Sequence, residues 1–159
     1  MVCFAALPPF FGMAKSELFY IPSFGTHLRR AGFIRVRRNR TDDLLAAYEE
    51  AASKLKSGAY MQIFPEGTRT VDGKIKKFKI GAFKLAVQAN VPVIPVTISG
   101  TFELLPKDRF LISSKIKNNI ITVKILNAIY PDQSKDKKTA AKELMSRAWE
   151  QMSGSSEEF

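Results

Sequence analysis

The sequence predicts an α/β domain, a mixed or mostly parallel sheet flanked by helices. Three observations carry this. Short β-branched or aromatic runs alternate with helical periodicities, Gly32, Gly58 and Asn90 close three helical segments, and a loop of phosphate-binding residue types follows directly on a strand. At 159 residues and 45% hydrophobic content the chain suits one domain with a real core. That domain is expected over 1–152, with a flexible tail over 153–159.

The elements follow in order. A short strand lies around Phe11–Ala14, and Lys15–Phe19 and Pro22–Ala31 read as helical, with Pro22 at a favoured helix start and Gly32 at the stop. Phe33–Val36 is a short strand. Thr41 caps a helix with Asp42 and Asp43 in its first turn, and Leu44, Tyr48, Ala51 and Leu55 fall on one face, most simply a core face, before Gly58. Tyr60–Phe64 is the next strand, Gly81–Ala89 a helix ended by Asn90, and Val93–Ile98 a β-branched strand. Ile120–Leu126 is another strand, Lys137–Met152 an amphipathic helix, and Gly154-Ser155-Ser156 a frayed end.

The loop after Tyr60–Phe64 is chemically the most specific stretch. In Phe64-Pro65-Glu66-Gly67-Thr68-Arg69, Arg69 offers a planar fork of donors, Gly67 permits close approach of the main chain, and Thr68 adds a hydroxyl and an N–H. Glu66 can orient Arg69 or accept a hydrogen bond from a substrate hydroxyl. Taken alone, these residues favour the plainer reading, a turn with an exposed ion pair of little energetic weight. Their surroundings favour an anion. Arg29, Arg30, Arg35, Arg37, Arg38 and Arg40 precede the loop, Lys74, Lys76, Lys77, Lys79 and Lys84 follow it, and the chain carries a net charge of +10. A phosphorylated metabolite, an anionic lipid surface and a nucleic acid all suit that charge.

One cysteine, Cys3, excludes an intramolecular disulfide, and with one histidine there is no structural zinc pattern. A reducing, intracellular setting is the default expectation. Met1–Gly12 is almost wholly apolar, yet it lacks a basic lead, is broken by Pro8-Pro9 and is too short to span a bilayer. It is the stump of a longer protein, a buried first segment or an interfacial membrane contact.

Five segments carry a resemblance: Ala14-Lys15-Ser16-Glu17-Leu18, Leu28-Arg29-Arg30-Ala31-Gly32-Phe33-Ile34, Phe64 to Arg69, Phe78-Lys79-Ile80-Gly81 and Val91-Pro92-Val93-Ile94-Pro95-Val96. In this order they resemble the glycerolipid acyltransferases, in particular the 1-acyl-sn-glycerol-3-phosphate acyltransferases. The carboxyl-terminal third is similar only in general character. The resemblance implies a glycerolipid acyltransferase fold and transfer of a fatty acyl group from acyl-CoA or acyl carrier protein to lysophosphatidic acid, giving phosphatidic acid. It implies no cofactor, the acyl donor being a substrate. By position, Arg38 matches the arginine of the family's first glycerol-phosphate block, with Arg37 as the alternative register, and Glu66, Gly67, Thr68 and Arg69 match the second. Lys79 and Gly81 extend the basic wall. Pro95 matches a late proline that shapes a pocket or simply lies in a buried strand.

In the family a histidine of a His-x-x-x-x-Asp motif acts as general base on the acceptor hydroxyl, and the aspartate orients it. Here the only histidine is His27, and Gly32 stands five positions later. His27 is therefore read as a packing or surface residue. The resemblance puts the missing motif just before Met1, so an amino-terminal truncation is expected, leaving the phosphate-binding half of the site without its base. Since such groups contribute about 10²- to 10⁴-fold, little turnover is expected of this chain.

Two other classes stay open, a non-catalytic lipid- or phosphate-binding protein and a basic nucleic-acid-binding domain. Aromatic residues scattered through apolar runs, instead of interleaved with basic patches, weigh against specific nucleic-acid recognition. Lipid substrates imply peripheral association with an anionic membrane surface, on its cytoplasmic face, through the apolar first residues and helix Tyr20–Arg30. The alternative is that Phe10, Phe11, Phe19, Tyr20 and Phe24 are all core.

Overall fold

The structure, a computed structural model, describes residues 9–37, 41–68, 70–104 and 120–156. They divide into two compact units. The first runs to Ile63 and includes Leu85–Val91; the second holds Phe64–Lys84 and the described residues from Pro92 onward.

In the first unit the strands are β1 (Phe10–Phe11), β2 (Met13–Lys15), β3 (Ile34–Val36) and β4 (Tyr60–Met61), with β1 parallel to β4 and β2 parallel to β3. The Phe11 carbonyl accepts the Gln62 N–H at 3.0 Å, and the next carbonyl, of Gly12, accepts the Ile34 N–H at 2.8 Å. Successive carbonyls of an extended chain point to opposite sides. Segment 10–15 is thus a central strand, with β4 on one edge and β3 on the other. At Gly12, between the two paired stretches, space is tight: an added Cβ would stand 2.9 Å from the Phe33 ring.

Parallel neighbours need crossover connections, and helices supply both. A 3₁₀ turn (Ser16–Tyr20) and helix α1 (Phe24–Arg30) join β2 to β3, and α2 (Thr41–Lys56) joins β3 to β4. The core packs Phe11, Ile34 and Val36 against Ala47, Ala51 and Ala52 of α2 and Leu85 and Ala89 of α3 (Gly81–Ala89). Tyr48 and Leu55 pack at its margin, whereas Leu44, expected on the core face, is 38% exposed. Small alanines bring α2 close to the sheet, so the buried stripe is centred on Ala47 and Ala51.

In the second unit β5 (Val96–Ser99) and β6 (Thr122–Ile125) pair antiparallel, Val96 opposite Ile125, and α5 (Lys137–Ser156) packs against β5. Short helix α4 (Thr101–Leu104) follows β5. Ala140, Ala141, Leu144 and Ala148 form the buried stripe of α5. Asp136 caps that helix, its Oδ1 accepting the Lys138 and Thr139 N–H groups at 3.0 and 3.1 Å.

Parallel pairs in one unit and an antiparallel pair in the other make the expected mixed α/β architecture. Several boundaries differ from expectation. β4 stops at Met61 instead of Phe64, the Gln62 N–H on the Phe11 carbonyl lying at the end of its pairing with Phe10–Phe11. β5 begins at Val96 instead of Val93: Pro95 has no N–H, and Val93 makes only an isolated bridge with Ile129. β6 is correspondingly trimmed to Thr122–Ile125. α1 begins at Phe24 instead of Pro22, since the Phe24 N–H donates to the Pro22 carbonyl at 2.7 Å in a γ-turn, with Ser23 at φ 64° and ψ −50°. That is a rare and strained turn. Finally, Gly154-Ser155-Ser156 continue α5 where fraying was expected.

Candidate functional site

The site residues on which the sequence points lie mostly in the loop 64–80, within the second unit. A tight turn opens it, with the Gly67 N–H donating to the Phe64 carbonyl at 3.0 Å. Gly67 has φ +72°, a conformation costly for any residue with a Cβ. It is also the point of closest approach by the returning chain. A Cβ on Gly67 would stand 2.9 Å from Lys79 Nζ, 3.0 Å from its Cε and 3.2 Å from its Cδ. The Lys79 side chain therefore lies flat across the turn.

Two cross-loop bonds hold it there. The Lys79 N–H donates to the Pro65 carbonyl at 2.8 Å, and the Lys76 N–H donates to Glu66 Oε2 at 2.9 Å. Glu66 is half-buried, while Thr68 and Lys79 are exposed. Between these bonds Asp72 shapes the outer turn: its Oδ1 accepts the Thr70 hydroxyl at 2.9 Å and the Lys74 N–H at 3.1 Å. The Thr70 hydroxyl, then the Lys74 N–H, hold the Asp72 carboxyl below its ordinary value. Chemically, the loop brings a glycine turn and a lysine ammonium together, with the exposed Thr68 next to Gly67 in the chain, a set able to take an anionic oxygen group.

The structure thus brings Gly67 and Lys79 together and ties Glu66 to the arm that carries Lys79. Arg38 and Arg69 lie outside the described residues, as do the apolar opening residues 1–8. Arg37, the alternative to Arg38, makes an ion pair with Asp43, Nε to Oδ2 at 2.8 Å, at the start of α2. The role of Lys76, through its backbone N–H, had no motif to announce it. Thr70-Val71-Asp72-Gly73 did carry a turn signature that could have located the bend.

Elsewhere, Arg29 and Lys54 serve the fold. Arg29 donates to the Phe19 carbonyl at 2.9 Å and lies over the Phe19 ring. Lys54 donates to the Gly32 carbonyl at 2.8 Å, pairs with Glu50 at 3.0 Å and stands over the Phe11 ring. His27 is exposed on α1. A shallow cleft of about 200 Å³ between β3 and α2 is lined by Arg35, Arg37, Asp43 and Glu50. Two carboxylates balance its two guanidinium groups, so it is a poorer anion site than the loop. Among the described residues no group of histidine, cysteine and carboxylates could hold a metal, and no helix is long and apolar enough to cross a membrane.

Comparison with known proteins agrees with the residue-level resemblance. The acyltransferase family model matches residues 1–99. A 1-acyl-sn-glycerol-3-phosphate acyltransferase of Chlamydomonas reinhardtii is 32% identical over 128 residues, covering 80% of this chain and 38% of the relative. The alpha 1-acyl-sn-glycerol-3-phosphate acyltransferase of Mus musculus is 43% identical over 88 residues, covering 55% of this chain and 31% of that protein. Among solved structures, the 1-acyl-sn-glycerophosphate acyltransferase PlsC of Thermotoga maritima superposes with a TM-score of 0.66 at 30% identity, covering 91% of this chain and 57% of that one. The chain thus spans well under half the length of these two curated relatives.

Proposed function

The chain belongs to the acyltransferase family, and we propose that it forms the acceptor-phosphate part of an enzyme that passes a fatty acyl group to lysophosphatidic acid, giving phosphatidic acid. The observation that carries this reading is Lys79 lying across the Gly67 turn, with both residues inside the segments that resemble the family. In the proposed reaction the acceptor hydroxyl oxygen attacks the thioester carbonyl of acyl-CoA or acyl carrier protein. The new C–O ester bond forms, the C–S bond breaks, and the proton passes by way of a general base to the departing thiolate. Lys79, Arg69 and Arg38 would hold the phosphate, fixing the hydroxyl for attack. These 159 residues contain no His-x-x-x-x-Asp spacing, so binding of the acceptor, not proton abstraction, is the part assigned to them.

An anionic membrane surface is the proposed setting, at the cytoplasmic face. The supporting feature is an apolar turn: Tyr20, Ile21 and Phe24 are 72%, 47% and 48% exposed around the strained Ser23, with Arg30 and Arg35 exposed nearby in sequence.

The test is calorimetric titration of the 159-residue chain with sn-glycerol 3-phosphate and with glycerol. Binding of the phosphate ester alone, weakened by Arg69→Ala, supports the reading. Equal response to both, or to neither, removes it. Phosphate-ester binding unaccompanied by acyl transfer when the chain is expressed with a His-x-x-x-x-Asp-bearing amino-terminal segment of a relative would favour the non-catalytic alternative.

A further inference from the structure

We infer that Glu66 is a positioning residue, whose carboxylate clips the lysine-bearing arm of the loop across the Gly67 turn without itself touching the acceptor. The inference rests on the reading of this loop as an acceptor-phosphate site and names what holds that site in shape.

Residues 64–80 contain four lysines, Lys74, Lys76, Lys77 and Lys79, and Arg69, against two carboxylates, Glu66 and Asp72. Both carboxylates take a lysine residue by its backbone N–H, Asp72 holding Lys74 at 3.1 Å within the outer turn and Glu66 holding Lys76 at 2.9 Å across the loop. An ionised acceptor makes such a bond stronger than a neutral one. The Pro65–Lys79 backbone bond fixes the far end of the arm, so two bonds from adjacent residues, Pro65 and Glu66, meet the arm three residues apart. That pair of anchors sets the direction of the chain into Lys79, and hence the lie of its side chain over Gly67. Glu66 Oε2 is taken up by the Lys76 N–H, and a movement of the carboxylate toward a substrate that breaks this bond would release the arm. The loop needs Glu66 first for its reach and its acceptor oxygen, the charge adding strength to a bond that a neutral oxygen also makes.

The side-chain series Glu66→Gln, Glu66→Asp and Glu66→Ala separates these roles, with amide hydrogen exchange at Lys76 and affinity for sn-glycerol 3-phosphate as readouts on the 159-residue chain. Gln keeps length and an acceptor oxygen. It should hold Lys76 exchange and affinity within about threefold of the parent. Asp keeps the charge but is one methylene too short, so it should behave like Ala, with Lys76 exchange faster by about tenfold or more and affinity reduced as far as in Lys79→Ala. The double variant Glu66→Ala/Lys79→Ala should bind no worse than either single one, because both remove the same contact. Protection of the α5 amides reports whether each variant is folded. Should Glu66→Ala not fold, Gln and Asp still decide.

If Gln weakens binding as much as Ala while Lys76 exchange stays as in the parent, the carboxylate touches the ligand and the inference is overturned. Unchanged Lys76 exchange in Asp and Ala also overturns it. If the parent chain binds no phosphate ester, the acceptor-site reading fails and Glu66 loses its role in acceptor binding, while Lys76 exchange still decides whether the clip exists.

Discussion

Several basic side chains of the first unit end on the protein itself, whereas Lys74, Lys76 and Lys79 of the loop 64–80 are residues held by their main-chain N–H groups. Arg29 is placed on the Phe19 carbonyl, Arg37 on Asp43, and Lys54 on the Gly32 carbonyl and Glu50. In the loop, by contrast, Lys74 and Lys76 are gripped by their main-chain N–H groups, and the side chain of Lys79 lies over a glycine. The net charge of +10 read from the sequence therefore does not say which cations present their charged ends to a partner. On the proposed reading, a binding cation is one whose backbone is fixed while its charged end faces solvent.

The sharpest way to break this contrast is to remove cations from each side of it. Arg69→Ala should weaken sn-glycerol 3-phosphate binding about tenfold or more, the order expected of a charge-assisted hydrogen bond at roughly 1.5–3 kcal/mol. Arg69→Lys should recover part of that loss, since it keeps charge and loses the planar fork. Arg37→Ala, read by the same titration, should change affinity less than twofold. An Arg37 effect equal to that of Arg69 would dissolve the distinction.

Two glycines sharpen the comparison at somewhat smaller cost. At Gly58, with φ +90°, an added Cβ would meet nothing within 4 Å, whereas at Gly67, with φ +72°, it would meet Lys79. Gly58→Ala should cost only the backbone penalty of roughly 1–2 kcal/mol. Gly67→Ala should cost the same in chemical denaturation and, in addition, weaken phosphate-ester binding by displacing Lys79. Similar binding by both variants would mean that the approach of Lys79 to Gly67 is incidental.

Lys54→Met tests the structural side alone. Losing the half-buried bond to the Gly32 carbonyl should destabilise the chain by about 1 kcal/mol in a denaturant titration, with phosphate-ester affinity unchanged.

The smallest effects are those of pH. In Asp136 the Thr139 bonds, and in Asp132 the Ser134 hydroxyl and N–H, hold the carboxyl below the ordinary 3.8. Because the folded value is the lower one, each contributes stability that is fully present above about pH 4 and lost as pH falls through the folded value. Thermal midpoints should therefore decline below about pH 4, and Asp136→Asn should flatten part of that decline. An unchanged acid profile in Asp136→Asn would show that the α5 cap contributes nothing measurable.

What the sequence made legible follows the same division between local and distant causes. Gly32, Gly58 and Asn90 end helices through their own positive φ, and all three are readable from the chain. The end of β4 is not, because it is set by pairing with Phe10–Phe11 far upstream. Leu44 departs from expectation because periodicity gives a face and not its centre, which here lies on the alanines that let α2 approach the sheet. In the loop, Gly67 and Lys79 are identified by motif. The partner of Glu66 is not, because a carboxylate bonding to a backbone N–H ten residues on leaves no side-chain signature.

The most direct test of the contrast between bound and presented cations is a residue-resolved NMR titration of the 159-residue chain with sn-glycerol 3-phosphate at physiological salt. Saturable shifts confined to Glu66–Arg69 and Lys79, with Arg29, Arg37 and Lys54 unmoved, are the predicted result. Shifts spread evenly over all the basic residues, or absent from the loop, would contradict it.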